Sequence, residues 1–326
     1  MRTISTFAKR PALLVIAFIV FMVGAQPVAN YAAAQTEGQR TFDTPAEGVK
    51  ALMTALESND NDKLLAVLGT DAKEIIYSGD PVNDKAEKAW FVEAYKQRHS
   101  LLYSGADKRI LTVGANDWPL AIPLVYSERK WYFDSAAGKD EMLYRRIGSN
   151  ELGAIAAARG VVAAQRDYHA KGHDGQPAGQ YAQRLASEPG KHDGLYWETQ
   201  PGEPASPAGP LLAQASSGGY SLNAAGKLAP YHGYYYRLLT AQGPSAPGGA
   251  KSYLVDDKLT RGFALVAYPA EYRNSGVMTF IVDKDGVVYQ KDMGEKTAEL
   301  GKAIDSFNPD STWTKVVSST SVATKK

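Results

Sequence analysis

The sequence predicts an α+β fold, and three observations predict it. Near the C-terminal end, Gly262-Phe263-Ala264-Leu265-Val266-Ala267-Tyr268-Pro269, Val277-Met278-Thr279-Phe280-Ile281-Val282 and Val287-Val288-Tyr289-Gln290 are rich in β-branched and aromatic residues. Turn chemistry separates them, the pattern of an antiparallel meander. An alanine-rich stretch from Ser149 to about Lys171 places Leu152, Ile155, Ala158 and Val162 at helical spacing. Upstream of both, helical segments come first and strand-like runs follow, the order of helices packed on a curved antiparallel sheet.

Each element has its own signal. Thr44-Pro45-Ala46-Glu47 opens a helix: the Thr hydroxyl can accept from a free backbone N–H, Pro suits the first turn and Glu47 completes a capping box. Val49, Leu52, Met53 and Leu56 then form its buried stripe. A short helix over 62–68 ends at Gly69 and buries Leu64, Leu65 and Leu68. A third runs over about 84–99, with Ala86, Ala89, Trp90 and Tyr95 near one side. Strands follow at 109–113, 121–126 and 130–133, the last two joined through Ser127-Glu128-Arg129. After the alanine-rich helix, His173-Asp174-Gly175-Gln176-Pro177 stops the chain, and 198–226 reads as a long Gly/Pro/Ser/Ala-rich excursion. A strand over 231–239 precedes the meander, whose last turn carries Asp285-Gly286, a pair suited to positive φ.

Composition narrows the function classes. Arg2, Lys9 and Arg10, an apolar run over 12–23 and Ala32-Ala33-Ala34 have the order of a secretory signal peptide spanning 1–34, and the run is shorter than the ~20 residues that cross a bilayer. A periplasmic or secreted location, without stable membrane insertion, follows as the expectation. The formal charge is +1, and 1–34 hold three basic and no acidic residues, so a chain without them carries −2. That balance gives no reason to expect nucleic acid as partner. With no cysteine, disulfides, a lipid-modified cysteine and thiol catalysis are excluded together.

Three resemblances attach to these elements. Residues 41–148 resemble the cone-shaped domains of the nuclear-transport-factor-2-like and cystatin-like superfamily, on element order alone. The long helix, the excursion and the sheet ending in Phe280-Ile281-Val282-Asp283-Lys284-Asp285-Gly286-Val287-Val288-Tyr289 are similar to the globular half of type IV pilins and pseudopilins. That likeness implies the fold without filament assembly, because Glu151 follows another folded domain. Across the chain, Ser78-Gly79-Asp80-Pro81-Val82, Asn116-Asp117-Trp118-Pro119, Pro189-Gly190-Lys191-His192-Asp193-Gly194-Leu195-Tyr196-Trp197, Ala241-Gln242-Gly243-Pro244 and Tyr272-Arg273-Asn274-Ser275-Gly276-Val277-Met278-Thr279-Phe280 resemble exported bacterial proteins known as domain-of-unknown-function family 2950. The resemblance implies no established activity.

Two stretches are candidates for a site. Lys191 to Trp197 is the densest mix of titratable and aromatic groups: His192 beside Asp193 suits an oriented general base, and Tyr196 with Trp197 suits a stacking surface. The other reading is a turn with its polar groups on backbone and its rings on the core. Tyr231, Tyr234, Tyr235 and Tyr236 bracket His232-Gly233, and alternation sends Tyr234 and Tyr236 to one face as core, strand-edge packing or a platform. His169 and His173 share a helix face but lack the Glu of a His-Glu-x-x-His site, and a helix C-terminus favours them as caps, so no metal is expected. Gly243 to Ser252 fails as a phosphate loop, since two residues precede the Lys and a strand follows. No Gly-x-Ser-x-Gly elbow occurs, and Asn274-Ser275-Gly276 reads as a turn.

The sequence thus predicts domains at 41–148 and 149–316 with a disordered tail over 317–326. The expected role is binding an envelope ligand or protein without cofactor or catalysis. The alternatives are an envelope hydrolase using His192 and Asp193, and an accessory subunit of an envelope assembly.

Overall fold

In a computed structural model of the chain, residues 35–199, 205–209 and 230–317 are described. The expected signal segment, the excursion beyond residue 199 save 205–209, and the tail beyond 317 lie outside them. The described residues all belong to one compact unit, Ala33–Lys326.

The first helix, Pro45–Glu57, starts where its cap demands: the Thr44 hydroxyl accepts from Glu47 N–H at 3.2 Å, and the Glu47 carboxylate accepts from Asp43 N–H at 3.1 Å. Asp60 caps Asn61–Leu68, and Gly69 ends it at φ +85°. The next long helix differs from its expected bounds, running over Pro81–Gln97, because Asp80 accepts from Asn83 N–H and Pro81 supplies a first-turn residue with no N–H to satisfy. Its buried residues are Phe91, Val92 and Ala94, whereas Ala86, Ala89 and Trp90 are exposed. A strand not anticipated, His99–Tyr103, follows at once and pairs with Lys108–Val113. The chain continues through Trp118–Pro119, Leu124–Ser127 and Lys130–Phe133 in one antiparallel sheet. Its last hairpin turns on Glu128 and Arg129, both at positive φ.

The alanine-rich helix is longer than predicted: it covers Ser135–His169, starting fourteen residues before Ser149. Asp134 caps it by accepting from Ala137 N–H at 3.0 Å. Gly138 hid this start, since glycine weakens a helical pattern. The structure needs it there, because a Cβ would sit 2.7 Å from Ala121 O and Ile122 Cα. Leu152 is 71 % exposed. The buried face runs instead through Ala154, Ala158, Val161, Val162, Gln165 and Tyr168. Gln165 is satisfied at both ends by one residue, donating to Ala182 O and accepting from Ala182 N–H.

The second sheet is antiparallel throughout, in the order Thr314–Lys315, Val288–Asp292, Met278–Asp283, Ala264–Pro269, Tyr234–Leu239. Its three middle strands form the expected meander, and Gly286 takes φ +84° in the turn that the Asp-Gly pair marks. Every residue of Ala264–Pro269 is buried. The long helix packs on this sheet, and a further helix not anticipated, Thr297–Ala303, packs against Ala264–Pro269. The α+β class with curved and meander sheets is therefore the observed one.

Two hydrophobic clusters result. One gathers Phe42 to Phe133 with Met142 at its edge, and the other gathers Ala154 to Phe307. The long helix feeds both, and its middle turns join them through polar groups. Asn150 Nδ2 donates to Ser275 O at 2.9 Å, and the Glu151 carboxylate accepts from Val277 and Met278 N–H. Asp80 accepts from Gly233 N–H at 3.0 Å. Gly233 is required, since its φ is +69° and a Cβ would lie 2.6 Å from Asn150 Nδ2.

Candidate functional site

A cavity of about 440 Å³ opens inside the first half of the fold, within the ~300–1,000 Å³ typical of small-molecule sites. Three short helices supply Leu52, Leu56, Leu64, Leu68, Ile75 and Ile76 to its wall. The sheet side supplies Trp118, Leu120 and Ile122. Two longer helices then face it with the same spacing, one contributing Asp84, Glu87, Lys88 and Phe91, the other Met142, Arg145, Arg146 and Ser149. Steps of three, four and seven put each set on one helix face.

The aromatic part of the wall is ordered by ring contacts. Trp90, 52 % exposed, meets Trp118 edge-on at 5.4 Å, and Phe91 meets it at 6.3 Å. The Arg145 guanidinium lies 4.8 Å from the Trp118 ring centre, held by Glu141 at 2.7 Å and Pro119 O at 2.8 Å. Trp90, which the helical pattern placed near one side of its helix, is an exposed residue of the cavity wall.

The polar part centres on Arg146, only 6 % exposed. Its Nη1 donates to Glu74 O at 2.8 Å and Asn274 Oδ1 at 2.6 Å, and its Nη2 donates to Ile75 O. Its Nε–H finds no acceptor among the described residues. Asn274 is itself fixed, donating to Tyr77 O and to the Glu271 carboxylate. Burial pushes the Asp84 carboxyl up against the opposing pull of its Ser78 hydrogen bonds, and burial pushes Glu87 up against the opposing pull of Arg146. Burial lowers Lys88 and Arg146. The cavity thus joins an apolar wall to a small set of charged groups, an arrangement that can hold and orient a compact organic molecule.

The residues singled out from the sequence lie elsewhere. His192 is paired with Asp174, not with its neighbour: Nδ1 stands 2.7 Å from Asp174 Oδ1, and the His192 N–H donates to Asp174 Oδ2. Asp174 reaches it from the apex of a turn in which Asp174 and Gly175 both take positive φ. Asp193 instead accepts from Glu188 N–H at 2.9 Å and lies 3.5 Å from Arg184 Nε. Each is engaged by a different partner, so the two do not form a dyad. Trp197 is half-buried, its ring edge-on to His192 at 4.5 Å and to His173 at 5.5 Å. Tyr196 is half-buried beside the second core. His173 stacks on Tyr168 at 4.0 Å and His169 on Tyr181 at 4.3 Å. Among the described residues no group of three or more His, Cys, Asp or Glu is placed to hold a metal ion.

Tyr234 is fully buried with its hydroxyl donating to Met278 O, so its ring offers no surface to a ligand. Tyr236 is half-buried and donates to Tyr231 O at 3.1 Å, while Tyr235 faces the other way and is 37 % exposed. The Gly243 to Ser252 stretch folds back on itself: Gln242 Nε2 donates to Pro247 O and Gly249 O.

The family model described as a protein of unknown function, DUF2950, matches residues 39–316. The family resemblance read from the sequence is borne out. No curated protein and no solved structure matches the chain, so neither the pilin-like nor the cone-like resemblance gains support from one.

Proposed function

The chain belongs to the DUF2950 family of proteins of unknown function, and from its cavity we propose a non-catalytic binding protein of the cell envelope that takes a small, largely apolar molecule. The observation that carries this reading is the cavity of about 440 Å³ walled by leucine, isoleucine and tryptophan and bounded by a few fixed charges. Pockets of that make-up bind by burying apolar surface and use a few polar groups for orientation. The absence of a His192–Asp193 dyad leaves the binding reading better supported than the hydrolase one.

Titrating the full chain with the neutral fluorophore N-phenyl-1-naphthylamine should give saturable binding at one site. Leu56→Trp, which places a larger ring on the cavity wall, should weaken it about tenfold or more while the melting curve stays cooperative. Binding that is not saturable, or that ignores the filled cavity, overturns the reading. The envelope assignment rests on the basic and apolar opening of the sequence and is tested by mass spectrometry of envelope fractions. A chain starting near Gln35 is expected, and an intact Met1 form held in the membrane would sink it.

A further inference from the structure

We infer that the molecule taken by the cavity is an organic monoacid, an apolar body ending in one carboxylate that Arg146 receives. The inference rests on the binding reading above and specifies the chemistry of its ligand.

Arg146 is a buried cation whose protein partners are all neutral: two backbone carbonyls and an amide oxygen. Among the described residues no carboxylate oxygen lies within 4.0 Å of its guanidinium: Glu74 pairs with Lys139 and Glu141 with Arg145, while Asp84, Glu87 and Glu271 act on it from further away. Its Nε–H has no acceptor among the described residues, and a buried N–H left without one is costly. A carboxylate is the group that suits this donor, because it makes a short charge-assisted hydrogen bond with a guanidinium.

The bonding of the wall's other charged groups points the same way. Lys88, Arg145 and Arg146 line the same wall as Asp84 and Glu87. Asp84 already accepts from Ser78 N–H, Glu87 accepts from Asn83 Nδ2, Lys88 donates to Asn61 and Arg145 is matched by Glu141. The Arg146 Nε–H is the donor of this set left without an acceptor among the described residues. The remaining wall is aliphatic and aromatic and suits a hydrocarbon body.

The test compares octanoate, octanol and octylamine on the full chain by isothermal titration calorimetry and by displacement of the neutral fluorophore. Octanoate should bind about tenfold more tightly than octanol, with octylammonium weakest. Arg146→Met should erase the difference between octanoate and octanol and leave octanol binding in place. Because that change also removes the bonds to Glu74, Ile75 and Asn274, Glu87→Gln is a second variant that keeps them. It removes a competing carboxylate and should tighten octanoate several-fold relative to octanol. Octanol binding as well as octanoate to the unaltered chain, or Glu87→Gln leaving their ratio unchanged, overturns the inference while the binding reading stands. Failure of all three compounds and of the fluorophore overturns the binding reading itself.

Discussion

At the scale of single residues, the charged groups around the cavity matter more than the histidines that stand out in the sequence. Asp84 illustrates the physics. Its carboxyl is raised in the fold by burial, so the folded state favours its protonated form. The stability this confers is fully present below the ordinary Asp range, near pH ~3.9, and is lost as pH rises through the raised folded value. Asn mimics the protonated form and can still accept from Ser78 N–H. Asp84→Asn should therefore match the parent in melting temperature in acid and gain on it as pH rises toward neutrality. A difference that is constant from pH 3 to pH 8 would show that burial does not govern this group. The sequence held no sign of this, because an Asp on a mixed helix looks like a solvated one.

At the scale of elements, the Thr44 cap and the Asp-Gly turn were legible, while the Asp80 and Asp134 caps, the faces and the lengths were not. Thr44 and Gly286 act locally, through atoms within a few residues, and their motifs meant what they promised. The long helix shows the opposite case. Its apolar spacing fitted a face containing Leu152, yet that residue is 71 % exposed and the buried face belongs largely to alanines. Alanine lets the helix lie close on the sheet, so the contact is set by backbone approach and not by large side chains. Leu152→Lys should accordingly change stability by less than about 0.5 kcal/mol. Val162→Ala, at a site 3 % exposed, should cost about 1–3 kcal/mol. Chemical denaturation of both variants checks the pair, and comparable losses would mean the helix is rotated from the face described.

At the scale of the whole molecule, two hydrophobic clusters share one helix and a polar seam of Arg146, Asn150, Glu151, Asp80 and Asn274. Two of the sequence stretches that carry the family resemblance, at 78–82 and 272–280, meet along that seam. A boundary at Ser149 cuts the helix but leaves every residue from Ala154 to Tyr168 that the second cluster buries. A fragment from Ser149 onward should thus melt cooperatively, below the temperature of the intact chain because the bonds from Arg146 and Asp80 are gone. An unfolded fragment beside an intact chain that melts in one step would make the two clusters a single cooperative unit.

The sequence by itself determined the class of the fold, the meander, the starts of the first two helices to within a residue and the family, because each is written in local propensity, in short-range capping or in motifs that survive reading in one dimension. It also placed candidate chemistry at His192 and Asp193 by adjacency. Only the tertiary structure decided that His192 meets Asp174, eighteen positions away, and that Tyr234 is core. It alone assembled the cavity, whose wall comes from five helices and the edge of a sheet between Leu52 and Ser149. The reason is physical: a cavity is a place where apolar side chains from distant segments fail to meet. Its signature in the sequence, apolar residues at helical spacing, is the same as that of a filled core. Arg146 adds the other half of the reason, since the burial of its charge depends on Glu74, Ile75 and Asn274 arriving from two other parts of the chain.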